Sequence, residues 1–144
     1  MMIYSGTTVG PDALAACQTL NSAAVVSGFQ NQNELSTMMT IATDKYGGAG
    51  AYLIGAYRTT TCAYQVLTAT CTALNSFYWT DGHTTGTDGF NWPSFEPDNG
   101  GGYYVTAGPQ DYIIVYAGDD LMDDVWDTRI AEGAVCGMKA RHYW

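Results

Sequence analysis

Positive charge is what this sequence most lacks. Lys and Arg together number 5 against 14 Asp and Glu, a formal net charge of −9 over 144 residues. Phosphate backbones and acidic lipid headgroups would not be attracted to such a chain, which argues against nucleic acid and anionic membrane as partners. No apolar run is long enough to span a membrane, and no signal peptide precedes Tyr4; if the protein is secreted, its signal has been removed or lies upstream. The cysteines Cys17, Cys62, Cys71 and Cys136 show neither CxxC spacing nor a neighbouring His, which favours two disulfides over a zinc site. Three pairings are open to four cysteines, one of which closes the short Thr-rich loop from Cys62 to Cys71 and leaves Cys17 and Cys136 to tie the two ends together. His83 and His142 stand alone with no Ser/His/Asp spacing around them. Charged residues make up only 13% of a chain rich in Gly, Thr, Tyr and Ser, a balance of loop-rich extracellular domains. Its length is that of a single domain, residues 1–144.

What the chain does have is a concentration of acids. Asp81, Asp88, Glu96, Asp98, Asp111, Asp119, Asp120, Asp123, Asp124 and Asp127 supply 10 of the 14 acids, and no Lys or Arg interrupts them. Crowded carboxylates repel, so a compact fold of this stretch calls for a countercharge from outside the chain, and a metal ion is the natural one. Carboxylates, the amides of Asn91, Asn99 and Gln110, and backbone carbonyls form an oxygen donor set that suits a hard cation. Calcium, which takes roughly 6–8 oxygens at flexible geometry, fits an irregular loop better than magnesium does. The plain alternative is a solvated acidic face, but these acids lie among Trp92, Phe95, Tyr103, Tyr104, Ile113 and Ile114.

Along the chain, Met1–Ser5 reads as an edge strand. Pro11 suits a first helical position, and Leu14, Cys17 and Leu20 predict a helix over Pro11–Leu20 with Cys17 on its buried face. Val25, Val26 and Phe29 form an extended link to a second helix. There Asn31 and Glu34 make a capping box, Leu35, Met38, Met39 and Ala42 form the core stripe, and Lys45 with Gly47-Gly48 stops the helix. Strands are expected at Tyr52–Tyr57, Phe77–Trp79, Asp111–Tyr116, Asp124–Trp126 and Ala134–Met138. Between Asp81 and Asp111, glycines and prolines break every candidate element, leaving a long loop of the kind that usually carries function. Early helices, late strands and one long loop describe an α+β domain.

These features, in this order, resemble the C-type lectin-like domain, in particular its secreted, nematode-type members. The resemblance rests on Cys17 in the first helix, Tyr52-Leu53-Ile54-Gly55-Ala56 at the WIGL-like strand, and Phe77-Tyr78-Trp79-Thr80-Asp81-Gly82. It continues through Phe90-Asn91-Trp92, Glu96-Pro97-Asp98, Met122-Asp123-Asp124 and Cys136. It implies two helices flanking small antiparallel sheets, and a long loop binding one calcium ion that coordinates the vicinal hydroxyls of a sugar. Glu96 and Asp98 stand at the ligands of the EPN or QPD motif, with Pro97 expected to follow a cis peptide bond. Asp123 and Asp124 stand at the Asn-Asp of WND, and Gln110 at a position often acidic. Sugar contacts would come from Glu96, Asp98 and Asp123, with Tyr103 and Tyr104 offering a ring to the pyranose and Trp92 the weaker candidate because it reads as core. The outer cysteines, Cys17 and Cys136, occupy a paired position in the family, so Cys62 pairs with Cys71.

The departures carry information too. Glu-Pro-Asp is a hybrid of the mannose-type and galactose-type motifs, so sugar preference does not carry over. The family's loop-stapling cysteine pair is replaced by Tyr112 and by Trp126 or Asp127, which implies a loop held by aromatic packing. Tyr57-Arg58-Thr59 offers no acids where an additional calcium site would need them. Arg141 to Trp144 continue past the family's usual terminus, where they could contact a partner. Two readings compete with the calcium lectin. One is a module for protein–protein contact or a structural subunit on the same fold, with or without calcium; a homo-oligomer or a protein partner would fit it. The other is a glycosidase using Glu96 with an Asp, which is disfavoured because carboxylates gathered round an ion are committed to it.

Overall fold

The computed structural model describes residues 1–102 and 104–138, with the side chain of Tyr104 outside that description. The central sheet runs β1(Met2–Thr8), β8(Ala131–Gly137), β3(Ala51–Leu53), β6(Tyr112–Tyr116), β7(Met122–Val125), and β2(Val25–Val26) also pairs with β8. All pairings in it are antiparallel except β3 with β8, which is parallel. A second sheet pairs β4(Ala56–Arg58) with β5(Phe77–Trp79). The strand expected over Tyr52–Tyr57 is thus two strands. The chain passes from one sheet to the other at Gly55, where a Cβ would lie 2.1 Å from the Val26 carbonyl oxygen.

Side-chain alternation along the central strands builds two cores. Ile113 and Val115 face a large cluster with Leu35, Met38, Met39 and Ala42 of α2(Gln32–Tyr46). Ile114 and Leu53 face a smaller one with Ala13 and Cys17 of α1(Ala13–Leu20). The second helix forms as its sequence predicts: Asn31 Oδ1 accepts from the Glu34 N–H at 3.0 Å, Glu34 Oε2 accepts from the Gln30 N–H at 2.7 Å, and Gly47 follows the last turn.

The first helix differs from its prediction. Pro11 opens a 3-10 turn, Gly10–Asp12, and only then does α1 begin. Leu14 and Leu20 are 47% and 46% exposed, and the buried pair is Ala13 and Cys17, one turn apart. Spacing by three drifts round a helix of 3.6 residues per turn, and the Cys17–Cys136 disulfide draws α1 to a Cα–Cα distance of 5.5 Å from β8, where only small side chains fit. The other bridge joins Cys62 to Cys71, so both expected pairings are present. Strand β7 is Met122–Val125 rather than Asp124–Trp126, a shift that decides where its two acids point.

Candidate cation site in the long loop

Among its described residues, the loop from Asp81 to Asp111 contains only a tight turn at Asn99–Gly102, with Gly100 and Gly101 at positive φ, and a four-residue helix, α3(Tyr104–Ala107). Its first part is anchored by Asp81, a buried carboxylate that accepts from the Gly28 N–H at 2.7 Å, the Thr84 N–H at 2.9 Å and the His83 N–H at 3.1 Å, and from the Thr84 hydroxyl. Burial pushes the Asp81 carboxyl up, and these hydrogen bonds more than reverse it, leaving it below its ordinary value. Aromatic rings fix the middle. Trp79 and Phe90 stack at 4.2 Å, and Trp92 lies 5.6 Å from Phe77 against the large core. Trp126 holds the far end: its indole N–H donates to the Gly108 carbonyl at 2.9 Å, and its ring approaches Gly100 so closely that a Cβ there would lie 2.7 Å from it. Tyr112 packs edge-on to Tyr57 at 5.3 Å. Of the two residues that stand where the resemblance implies a cysteine staple, Trp126 packs on the loop and Tyr112 on Tyr57.

Within this frame Glu96, Asp98 and Asp124 each direct a carboxylate oxygen into one space, all within 4.8 Å of one another. The Glu96–Pro97 peptide bond is cis, as the resemblance implies. The Asp98 N–H sits between Glu96 Oε2 at 2.9 Å and Asp124 Oδ1 at 3.1 Å, which locks the two carboxylates side by side. Burial, then hydrogen bonding to Asp124 and its charge, pushes the Glu96 carboxyl up to about 8. Gln110 is buried, its N–H donating to Asn99 Oδ1 at 2.8 Å and its carbonyl accepting from Arg58, while its side-chain Oε1 has no hydrogen-bond partner among the described residues. The three carboxylates form an all-oxygen set with the donor chemistry of a hard cation site, and Asn99 and Arg58 tie the residue that carries the orphaned amide oxygen to Asp124.

Asp123 is not one of these three, although Asp98 and Asp124 lie near enough to act on it. In the β6–β7 ladder Asp124 lies opposite Ile113 on the large-core face, and Asp123 opposite Ile114 on the other. Its carboxylate accepts from the Tyr116 hydroxyl at 3.4 Å, and burial with Asp124 and Asp98 nearby pushes it up to about 6. Tyr103 lies outside the described residues, as do the side chain of Tyr104 and the segment 141–144.

Two residues take roles in the site that the sequence does not assign them: Arg58 stands in a segment noted only for lacking acids, and Asn99 counts there only as one amide of the donor set. Arg58, 3% exposed, pairs its guanidinium with the fully buried Asp124, donates Nε–H to the Gln110 carbonyl at 2.8 Å, and lies 4.6 Å from the Phe77 ring centre. The expectation that the acids need a countercharge from outside the chain is therefore corrected: one such charge comes from Arg58, remote in sequence and adjacent in space. The signal was the alternation of Ala56 and Arg58 on the inward side of β4. Asn99 is the other. Fully buried, it donates its backbone N–H to Asp124 Oδ2 at 2.8 Å and its amide to the Ala63 and Gln65 carbonyls at 2.9 and 3.0 Å, which joins the Cys62–Cys71 loop to the site.

Neither protein-family models nor curated proteins include a match to this chain. Solved structures do match. The C-type lectin CEL-I from Cucumaria echinata superposes with a TM-score of 0.67 at 17% identity, over 93% of this chain and 85% of that one. A lectin C-type domain from a hypothetical protein of C. elegans gives 0.64 at 12% identity, over 99% and 83%. A Ca2+-dependent type II antifreeze protein in its Ca2+-free form gives 0.62 at 13% identity, over 95% and 90%. The strand order, the paired ends and the long loop are those of the C-type lectin-like fold, and that is the fold of this chain.

Proposed function

We propose that the domain is a calcium-dependent carbohydrate-binding module and not an enzyme. The observation that carries this reading is the convergence of Glu96, Asp98 and Asp124. When all are ionised, three carboxylates against the one guanidinium of Arg58 leave two negative charges, which one divalent ion would balance. Calcium held there by Glu96, Asp98, Asp124 and Gln110 would offer open coordination positions to a pair of sugar hydroxyls. Glu96 and Asp98 would also accept hydrogen bonds from those hydroxyls. Asp123 belongs to the margin of the site, and Tyr103 and Tyr104 are proposed as its rings. Trp92 packs on Phe77 and Phe90 and serves the core. Two disulfides fit an extracellular setting, and the weak affinity of a single sugar site favours multivalent display.

A protein-binding module is the second reading, and the Arg58–Asp124 pair favours it, because the chain partly neutralises its own acids. Calorimetric titration with calcium, followed by a glycan array with and without chelator, separates the two. Calcium binding with chelator-sensitive glycan retention supports the lectin. Absence of calcium binding overturns it in favour of the protein-binding module.

A further inference from the structure

Phe95 stands immediately before the cluster, as the third residue of a turn closed by the Glu96 N–H donating to the Pro93 carbonyl at 3.2 Å. Its side chain is 87% exposed, and its backbone is at φ 70°, a region that bulky side chains seldom occupy. Among the described residues, the two other non-glycine residues with positive φ, Asn99 and Asp120, are types that tolerate it, and Asn99 is held by its buried hydrogen bonds. At Phe95 the turn calls for a positive φ, and an aromatic ring stands where glycine is the usual choice. It lines a shallow cleft of about 230 Å³ with Val66, Leu67, Asp98 and Gly101. Val66 and Leu67 ride on the Cys62–Cys71 loop, which the Asn99 amide fixes to the residue next to Asp98. The apolar cleft and the carboxylate cluster therefore share Asp98.

The geometry points to an apolar subsite, formed by Phe95 with Val66 and Leu67, that receives an apolar substituent on the sugar held at the carboxylate cluster. This rests on the carbohydrate reading above. The occupant is defined by continuity: Asp98 belongs both to the carboxylate cluster and to the cleft lined by Phe95, Val66 and Leu67, so a ligand bound through hydroxyls at Asp98 has an aromatic and aliphatic surface adjoining it. The Cys62–Cys71 bridge and the Asn99 amide tie that side of the cleft to the cluster.

The probes are the methyl and phenyl glycosides of mannose and of galactose, measured in saturating calcium against the unmodified chain, Phe95→Gly and a Val66→Ser/Leu67→Ser double variant. Glycine suits φ 70° and the wall residues lie on the surface loop, so the variants retain the fold. The phenyl glycoside should bind roughly 5–10-fold more tightly than the methyl one, both variants should lose that preference, and calcium affinity should not change. Methyl glycosides bound in calcium with no phenyl preference, or a preference that survives both variants, would overturn the subsite and leave the lectin reading standing. Calcium binding with no glycoside bound would overturn both.

Discussion

Replacing Arg58 by Met is the most informative single change to this domain. Met keeps the aliphatic volume between Phe77 and Asp124 and removes the charge. Asp124 is fully buried and would then face the core without its partner, a loss that costs about 3–5 kcal/mol when one member of a buried pair is deleted. For a domain of this size that lowers the melting temperature by on the order of 10 °C. In the unmodified chain, calcium at about ten times its dissociation constant adds only about 1.4 kcal/mol. The variant should gain more from calcium than that, because an incoming cation meets a cluster with one more uncompensated charge. The assay is thermal denaturation of both chains in calcium and in chelator, followed by circular dichroism. Equal calcium-induced shifts in the two chains would refute the electrostatic coupling of Arg58 to the site. A loss of less than about 1 kcal/mol in chelator would refute the burial argument itself.

The remaining predictions concern the acids and the bridges. Glu96→Gln should abolish calcium binding in calorimetry with the fold intact, whereas Asp124→Ala should also destabilise the domain by about 3–5 kcal/mol, since it strands Arg58; equal stability of the two variants would contradict the buried pair. In chelator, the folded Glu96 carboxyl titrates near 8 against 4.5 when free, so the folded state holds a proton the unfolded state has released, and stability falls as pH rises from about 4.5 to about 8. Calcium must displace that proton, so calorimetry at pH 7 in buffers of different ionisation enthalpy should report proton release, and affinity should weaken towards acidic pH; binding that is independent of buffer and pH would sink the site. Asp81 runs the other way: its folded value lies below 3.8, so its contribution is present above that pH, is lost as pH falls through the folded value, and should disappear in Asp81→Asn. Removing the Cys17–Cys136 bridge, which spans 119 residues, should cost about 4–5 kcal/mol in denaturant unfolding, against about 2–3 for Cys62–Cys71.

Local chemistry settled much of this domain before any contact was known. The capping box at Asn31 and Glu34, the stripe of α2, and the stop at Gly47 are short-range signals that need no partner to be read. The even set of cysteines and the acids of the long loop were equally legible, since ligand type follows from residue type. What the linear chain could not say is which acids face one another. Asp123 and Asp124 are neighbours with the same charge, yet strand register sends them to opposite faces, and only Asp124 joins Glu96 and Asp98. Leu14 and Leu20 look like core and are exposed, because a disulfide holds α1 too close to β8 for large side chains. Arg58, 66 positions from Asp124, becomes the cluster's countercharge only because β4 turns it inward beneath the loop. Charge compensation acts through space, so tertiary packing alone could reveal that part of the site's electrostatic balance comes from the chain itself.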